Sequence, residues 1–410
     1  MSEKLTVKNV VNINKSTLSA KDNWSTLKYL DTGNITENQI DTLQIFQKGE
    51  KLPSRAKRKV EKGTIIYSTV RPNQKHFGYF DTHSNDLVVS TGFATLDVID
   101  PRINSKYLYY LLTQNSVISQ LQSIGENSTS SYPSIRPEDI GNLSFVFPDI
   151  DIQNKIADIL TSIDKKIQIN NQINQELEAM AKTLYDYWFV QFDFPDQNGK
   201  PYKSSGGKMV YNPELKREIP EGWGVDSLWN IANFYNGLAM QKYRPDTNED
   251  DYLPVIKIRE MMNGFSKDTE RARLDIPSEA VVDRGDILFS WSATLEVIIW
   301  GKEKGALNQH IFKVTSDTYP KSFIYFELKS YLKVFKAIAE LRKTTMGHIT
   351  QDHLKQAKIV VPPIELISKL DAKLQPIMLK QQILENQNQE LTQLRDWLLP
   401  MLMNGQVKVE

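Results

Sequence analysis

The chain has 410 residues, with 50 lysines and arginines balanced by 50 acidic residues and no cysteine. That length supports two or three domains with cores of their own, while zero net charge removes any global attraction to a polyanion and makes any nucleic-acid surface a local one. The missing thiols exclude cysteine catalysis, thiolate zinc and disulfides, and no apolar run reaches 18 residues, so the expectation is a cytoplasmic chain without a membrane partner.

In chain order, a first mixed α/β segment is expected over 1–149. Its densest basic run, "KGEKLPSRAKRKVEKG", carries Lys51, Arg55, Lys57, Arg58 and Lys59, and "TVRPNQKHFGYF" adds Arg71, Lys75 and His76 among aromatics. Such residues neutralise phosphates and, as bidentate Arg, read base edges. "VEKGTIIYS" reads as a glycine turn into a strand, "KYLYYLL" as an aromatic-rich helix, and "ENSTSSYPS" as a small polar loop before the strand of "LSFVFPDI".

A long helix is expected over 150–192. From Ile156 a strict 4,3 spacing selects Leu160, Ile163, Ile167, Asn170, Asn174, Leu177, Ala181, Leu184 and Trp188. This heptad pattern predicts a coiled-coil seam. Residues 193–217, rich in Gly, Pro, Ser and Lys, read as a linker. A second α/β segment is expected over 218–362, with candidate DNA contacts at Lys267, Arg271 and Arg273 in "KDTERARLD" and at Arg342 and Lys343 in "LRKTT". A second helix is expected over 363–405, with Ile377, Asn388, Leu391 and Leu398 on its seam.

The two halves repeat each other. "VEKGTIIYS" matches "VDRGDILFS" at an offset of 222, "KYLYYLL" matches "SFIYFEL" at 216, and "SIRPEDIGNLSFVFP" matches "HITQDHLKQAKIVVP" at 214. The last offset also carries Asn174 onto Asn388, Leu177 onto Leu391 and Leu184 onto Leu398. Polar residues at paired seam positions cost stability and fix register. Two helices of roughly 38 residues would each span on the order of 55 Å, and antiparallel pairing suits the short linker better than parallel. The expected fold class is therefore α+β: two pseudo-symmetric mixed α/β domains separated by a two-helix antiparallel coiled coil.

Catalytic motifs are absent. No Walker A, G-x-G-x-x-G or H-E-x-x-H pattern occurs, and His76, His83, His310, His348 and His353 lack carboxylates at metal-ligand spacing. Asp196, Glu214 and Lys216 can be forced into a nuclease-like pattern, but they fall in the linker. Two readings remain: a non-catalytic DNA-specificity protein, and a two-headed protein–protein adaptor spaced by its coiled coil.

The proline–strand–long-helix junctions "VFPDIDIQNKIADILTSIDKKI" and "IVVPPIELISKLDAKLQPI", with "IPEGWGVDSLWNIANFYNG" and "GALNQHIFKV", resemble the specificity (S) subunits of Type I restriction–modification enzymes. The first half departs from this pattern, since "NWSTLKYLDTGNI" lacks the P-x-G-W entry. The resemblance implies two target recognition domains, each binding half of a split double-stranded DNA target. It also implies helices that set the gap and dock two methyltransferase (M) subunits, with motor–nuclease (R) subunits joining them. It implies no cofactor on this chain, with S-adenosylmethionine, ATP and Mg held by those partners.

Overall fold

A computed structural model describes residues 4–19, 21–82, 86–128, 132–247, 251–341 and 348–409. The chain divides into two compact units: unit 1 comprises Met1–Lys166 with Leu391–Glu410, and unit 2 comprises Ile167–Glu390. Each is mixed α+β.

Unit 1 contains two four-stranded sheets. In one, Gln44–Gln47, Thr26–Leu30, Leu87–Ser90 and Ala56–Lys59 lie side by side in that order; the central pair is parallel and the flanking strands are antiparallel. In the other, Val11–Ile13, Phe93–Val98, Ile65–Ser68 and Phe77–Tyr79 are antiparallel throughout. A short pair, Lys4–Thr6 with Ser144–Val146, closes the domain. Helix Ser105–Leu112 begins at Asn104, whose side chain accepts from the Lys106 and Tyr107 amides as an N-cap.

Unit 2 repeats the plan. Its first sheet runs Arg271–Ala272, Leu253–Ile256, Gly305–Leu307, Val281–Val282, again with a parallel central pair. Its second runs Asn233–Asn236, Ile311–Thr315, Ile287–Ser290, Glu296–Ile299, all antiparallel. Gly224–Ser227 pairs with Lys358–Val361 to close it. Strand order and direction match between the units, sheet for sheet. Where unit 1 breaks its helical layer into Ser105–Leu112 and Asn115–Glu126, unit 2 carries one 21-residue helix, Lys321–Leu341.

The close approach of strands makes one glycine indispensable. A Cβ on Gly237 would lie 2.3 Å from the Asn308 carbonyl oxygen and 2.4 Å from that of Leu307, both backbone atoms. Gly237→Ala should therefore lower unit 2 stability by roughly 3 kcal/mol, the upper end of overpacking costs. Urea unfolding of the full chain measures it, and a loss below half a kcal/mol would show that the strands part easily.

The predicted helices are Ile150–Tyr185, 36 residues, and Ile364–Met403, 40 residues. Among the seam positions, Ile156, Leu160, Ile163, Ile167, Asn170, Ala181 and Trp188 are buried, while Asn174, Leu177 and Leu184 are half-buried. In unit 1, Ile156 and Leu160 share a core with Leu398 and Leu402. In unit 2, Ala181 and Tyr185 share one with Leu370 and Leu374, with Ile377 packed against it. Rising numbers meet falling ones there, Asn170 with Asn388 and then Asn174 with Gln381, so the helix segments of unit 2 run antiparallel. The helix segments are thus part of the core of each unit.

The stretch expected as a linker, 193–217, is folded. Phe194 stacks on Tyr202 at 4.6 Å and on Trp223 at 5.0 Å, and Met209–Asn212 forms a hairpin with Arg217–Pro220. Its Gly, Pro and Ser residues serve tight turns, and its aromatics bury the segment against unit 2. Asp196 accepts from the Asn198 and Lys200 amides, while Lys216 has a left-handed φ of 52° in the hairpin turn. Glu214 pairs with Lys358 at 2.8 Å, which also leaves the forced nuclease pattern as turn chemistry. Among the described residues no helix is long and apolar enough to cross a membrane.

Candidate nucleic-acid interface

The basic run of unit 1 spreads over a loop and an edge strand, and its members differ in freedom. Lys51, Arg55 and Lys57 are exposed and carry no ion pair among the described residues. Arg58 sits on the inner face of strand Ala56–Lys59, where its Nε is buried without a partner. Burial lowers the affinity of that guanidinium for its proton. Lys59 pairs with Asp22, and that hydrogen bond holds the Asp22 carboxyl below its ordinary range. Lys59 is thus engaged by an ion pair and Arg58 is half-buried, whereas Arg55 and Lys57 are exposed.

The second basic group divides in the same way. Arg71 is exposed, lies 5.6 Å from the Tyr132 ring centroid, and takes a left-handed φ of 48°. Non-glycine residues seldom adopt that conformation, so the surrounding loop holds it there. Lys75 pairs with Glu37, and His76 Nδ1 faces the Ile35 carbonyl. Both turn back onto the Ile35–Ile40 hairpin.

Backbone hydrogen bonds join these segments into one rim. The Thr91 amide donates to Arg55 O, the Thr69 amide to Gly92 O, the Ile135 amide to Thr69 O, and the Arg71 amide to Pro133 O, each at 2.8–2.9 Å. Arg55, Arg71 and Tyr132 therefore stand on neighbouring loops at one edge of unit 1.

Unit 2 has the corresponding bonds at corresponding places. The Trp291 amide donates to His310 O at 3.4 Å, and the Ile349 amide to Trp291 O at 2.9 Å. Thr69, Gly92 and Ile135 map onto these at offsets of 222, 218 and 214 (291 − 69, 310 − 92, 349 − 135). On this rim the Trp291 ring lies 5.6 Å from His310, 5.6 Å from His348 and 5.9 Å from Phe312, and its Nε1 donates to Asn236 at 2.9 Å. Residue spacing did not single out this cluster. Its members come from four distant segments, around 236, 291, 310 and 348, that only the fold brings together.

The other predicted contacts of unit 2 are dispersed. Arg271 lies 4.2 Å from the Tyr252 ring centroid. Arg273 lies 5.9 Å from that of Tyr243 and 3.0 Å from Asp275. Lys267 is exposed; Arg342 and Lys343 lie outside the described residues. Among the described residues, no group of three or more His, Cys, Asp or Glu is placed to hold a metal.

With two copies of one frame, each carrying a polar rim, the architecture is that of a duplicated recognition module. The chain belongs to the family described as the Type I restriction modification DNA specificity domain, whose model matches residues 2–179 and again 220–393. It is 27% identical to the Type I restriction enzyme HindI specificity subunit of Haemophilus influenzae, over 92% of this chain and 94% of that one. It is also 27% identical to the MjaIX specificity subunit of Methanocaldococcus jannaschii, over 93% of this chain and 84% of that one. The fold is similar to the solved S subunit of a Type I restriction–modification system from M. genitalium, with a TM-score of 0.53, 15% identity, and coverage of 98% and 95% of the two chains. It is a specificity subunit, not an enzyme.

Proposed function

We propose that each unit binds one half of a split double-stranded DNA target through the rim described above. Domain limits for this role are 1–149 and 218–362, with 150–192 and 363–405 as the spacer helices and 193–217 as the linker that leads from the first helix into the second domain. The observation that carries the reading is the shared hydrogen-bonded frame at 69/92/135 and 291/310/349, on which the side chains differ. One framework with two sets of rim residues suits two different half-sites.

The helices set the gap between half-sites and dock two M subunits, with R subunits joining that complex in the cytoplasm. Exposed apolar side chains on the helices support docking: Met180, Leu379 and Ile383 in unit 2, and Leu394 and Trp397 in unit 1. S-adenosylmethionine, ATP and Mg belong to those subunits. Co-expression with the cognate M subunit, followed by mapping of methylated adenines across genomic DNA, tests the reading. One split motif with a fixed gap is expected. Methylation that persists when this chain is deleted would overturn it in favour of a protein–protein adaptor.

A further inference from the structure

The two rims match in backbone and differ in chemistry. At the offset of 222 the end of edge strand Ala56–Lys59 corresponds to the start of Val281–Val282, and the register agrees there: Lys59 faces Val88, and Val281 faces Ala306, while the preceding residues form the single turn Ser278–Ala280 in unit 2. Lys59 is therefore replaced by Val281, and at the same sequence offset the turn carries Glu279 where the unit 1 strand has Lys57. The same correspondence puts Trp291, His310 and His348 where unit 1 has Thr69, Gly92 and Ser134. In unit 1 the rim carries exposed cations, Arg55, Lys57 and Arg71, none of them in an ion pair among the described residues, with Arg71 beside the Tyr132 ring. In unit 2 it carries a supported aromatic cluster, with the Trp291 indole fixed by Asn236, His310 and His348 against it and Phe312 packed against its ring. Several nearby cations of unit 2 are already engaged, as Lys257 is with Glu270, Arg259 with Glu260 and Lys313 with Asp286. Lys242, Arg244 and Lys267 remain exposed, so the contrast concerns this strand and rim rather than the whole unit.

We infer a division of labour between the half-sites: unit 1 grips its half chiefly through phosphate ion pairs, and unit 2 holds its half chiefly through ring contacts of Trp291 with bases and sugars. Ion pairs with phosphates release counterions, so binding through them weakens steeply with salt. Contacts to ring faces and thymine methyls do not. This inference rests on the proposed DNA role.

The test uses the full chain with its M subunit and duplex DNA carrying the mapped target, titrated between about 50 and 200 mM salt. Arg55→Ala with Lys57→Ala should make the slope of log affinity against log salt shallower by about 2. Trp291→Ala should weaken binding about tenfold at every salt, leave the slope unchanged, and abolish discrimination against mismatches in the second half-site only. His310→Ala, at an exposed position, is the companion variant should Trp291→Ala unfold, and it should give the same pattern in weaker form. A Trp291→Ala or His310→Ala variant that flattens the slope overturns the inference while leaving DNA recognition standing. So does a cationic double variant with the wild-type slope. Wild-type protein with no preference for its target would overturn the DNA role itself.

Discussion

Asn388→Leu is expected to destabilise unit 2 by about 1–2 kcal/mol, although it adds apolar surface to a coiled-coil seam. Asn388 accepts from Asn170 Nδ2 at 2.9 Å and donates to Asn171 Oδ1 at 2.7 Å. Asn170 is fully buried, and its Oδ1 has no partner. Leucine at 388 would strand both polar atoms of Asn170, and leaving a buried amide unsatisfied costs about 1–3 kcal/mol. The gain from a half-buried leucine offsets only part of that. Asn170→Leu with Asn388→Leu removes the orphan as well, so the double variant should be at least as stable as wild type. Denaturant unfolding of the four proteins closes a double-mutant cycle, expected to show about 1–3 kcal/mol of coupling. If both single variants are neutral, the polar layer is incidental. Should the layer set register, the stable double variant would methylate targets with more than one gap length, which genomic adenine mapping reads directly.

The seam was readable because a helix converts sequence spacing into a face, and the 4,3 repeat needs no tertiary information. What spacing did not reveal is how polar seam residues pair. Asn174 and Asn388 occupy equivalent positions in the repeat, yet in unit 2 Asn388 meets Asn170 and Asn171, while Asn174 meets Gln381. Antiparallel pairing brings together positions that approach from opposite ends. The duplication was readable for a similar reason: glycine turns and strand-ending serines stand at fixed offsets. The parallel pairing of Thr26–Leu30 with Leu87–Ser90 was not, because no local signal links strands some sixty residues apart.

The basic residues were legible; their engagement was not. Charge density pointed to Arg55 and Lys57, but it could not show that Lys59 is taken by Asp22 or Lys75 by Glu37, since those partners lie 37 and 38 residues away. Linker composition misled in the same way. Gly, Ser and Pro at 193–217 mark turns, and the buried aromatics Phe194 and Tyr202 turn those turns into structure. A cation or a glycine is visible in a sequence; whether it is already engaged depends on the fold.

One engaged group is expected to make the stability of unit 2 depend on pH. Glu327 faces the Tyr185 hydroxyl, which donates to its Oε1, and Tyr185 stacks on Phe326 at 5.1 Å. Burial dominates here and pushes the carboxyl from 4.5 up to about 7, with the Tyr185 hydroxyl and the Arg217 charge working against it. Between pH 4.5 and 7 the folded state holds a proton that the unfolded chain has lost. Stability from this group is therefore fully present below about pH 4.5 and is gone once the pH has risen through 7. A gap of that size corresponds to about 3 kcal/mol. Glu327→Gln keeps an acceptor for Tyr185 without the buried charge. The variant should be more stable than wild type by up to about 3 kcal/mol at pH 8, with the advantage vanishing by pH 4.5. The difference between the two unfolding curves isolates this residue from Glu385, whose carboxyl burial also raises. A constant difference across that range would place the Glu327 charge in solvent, and Tyr185→Phe would then be expected to cost nothing beyond one exposed hydrogen bond.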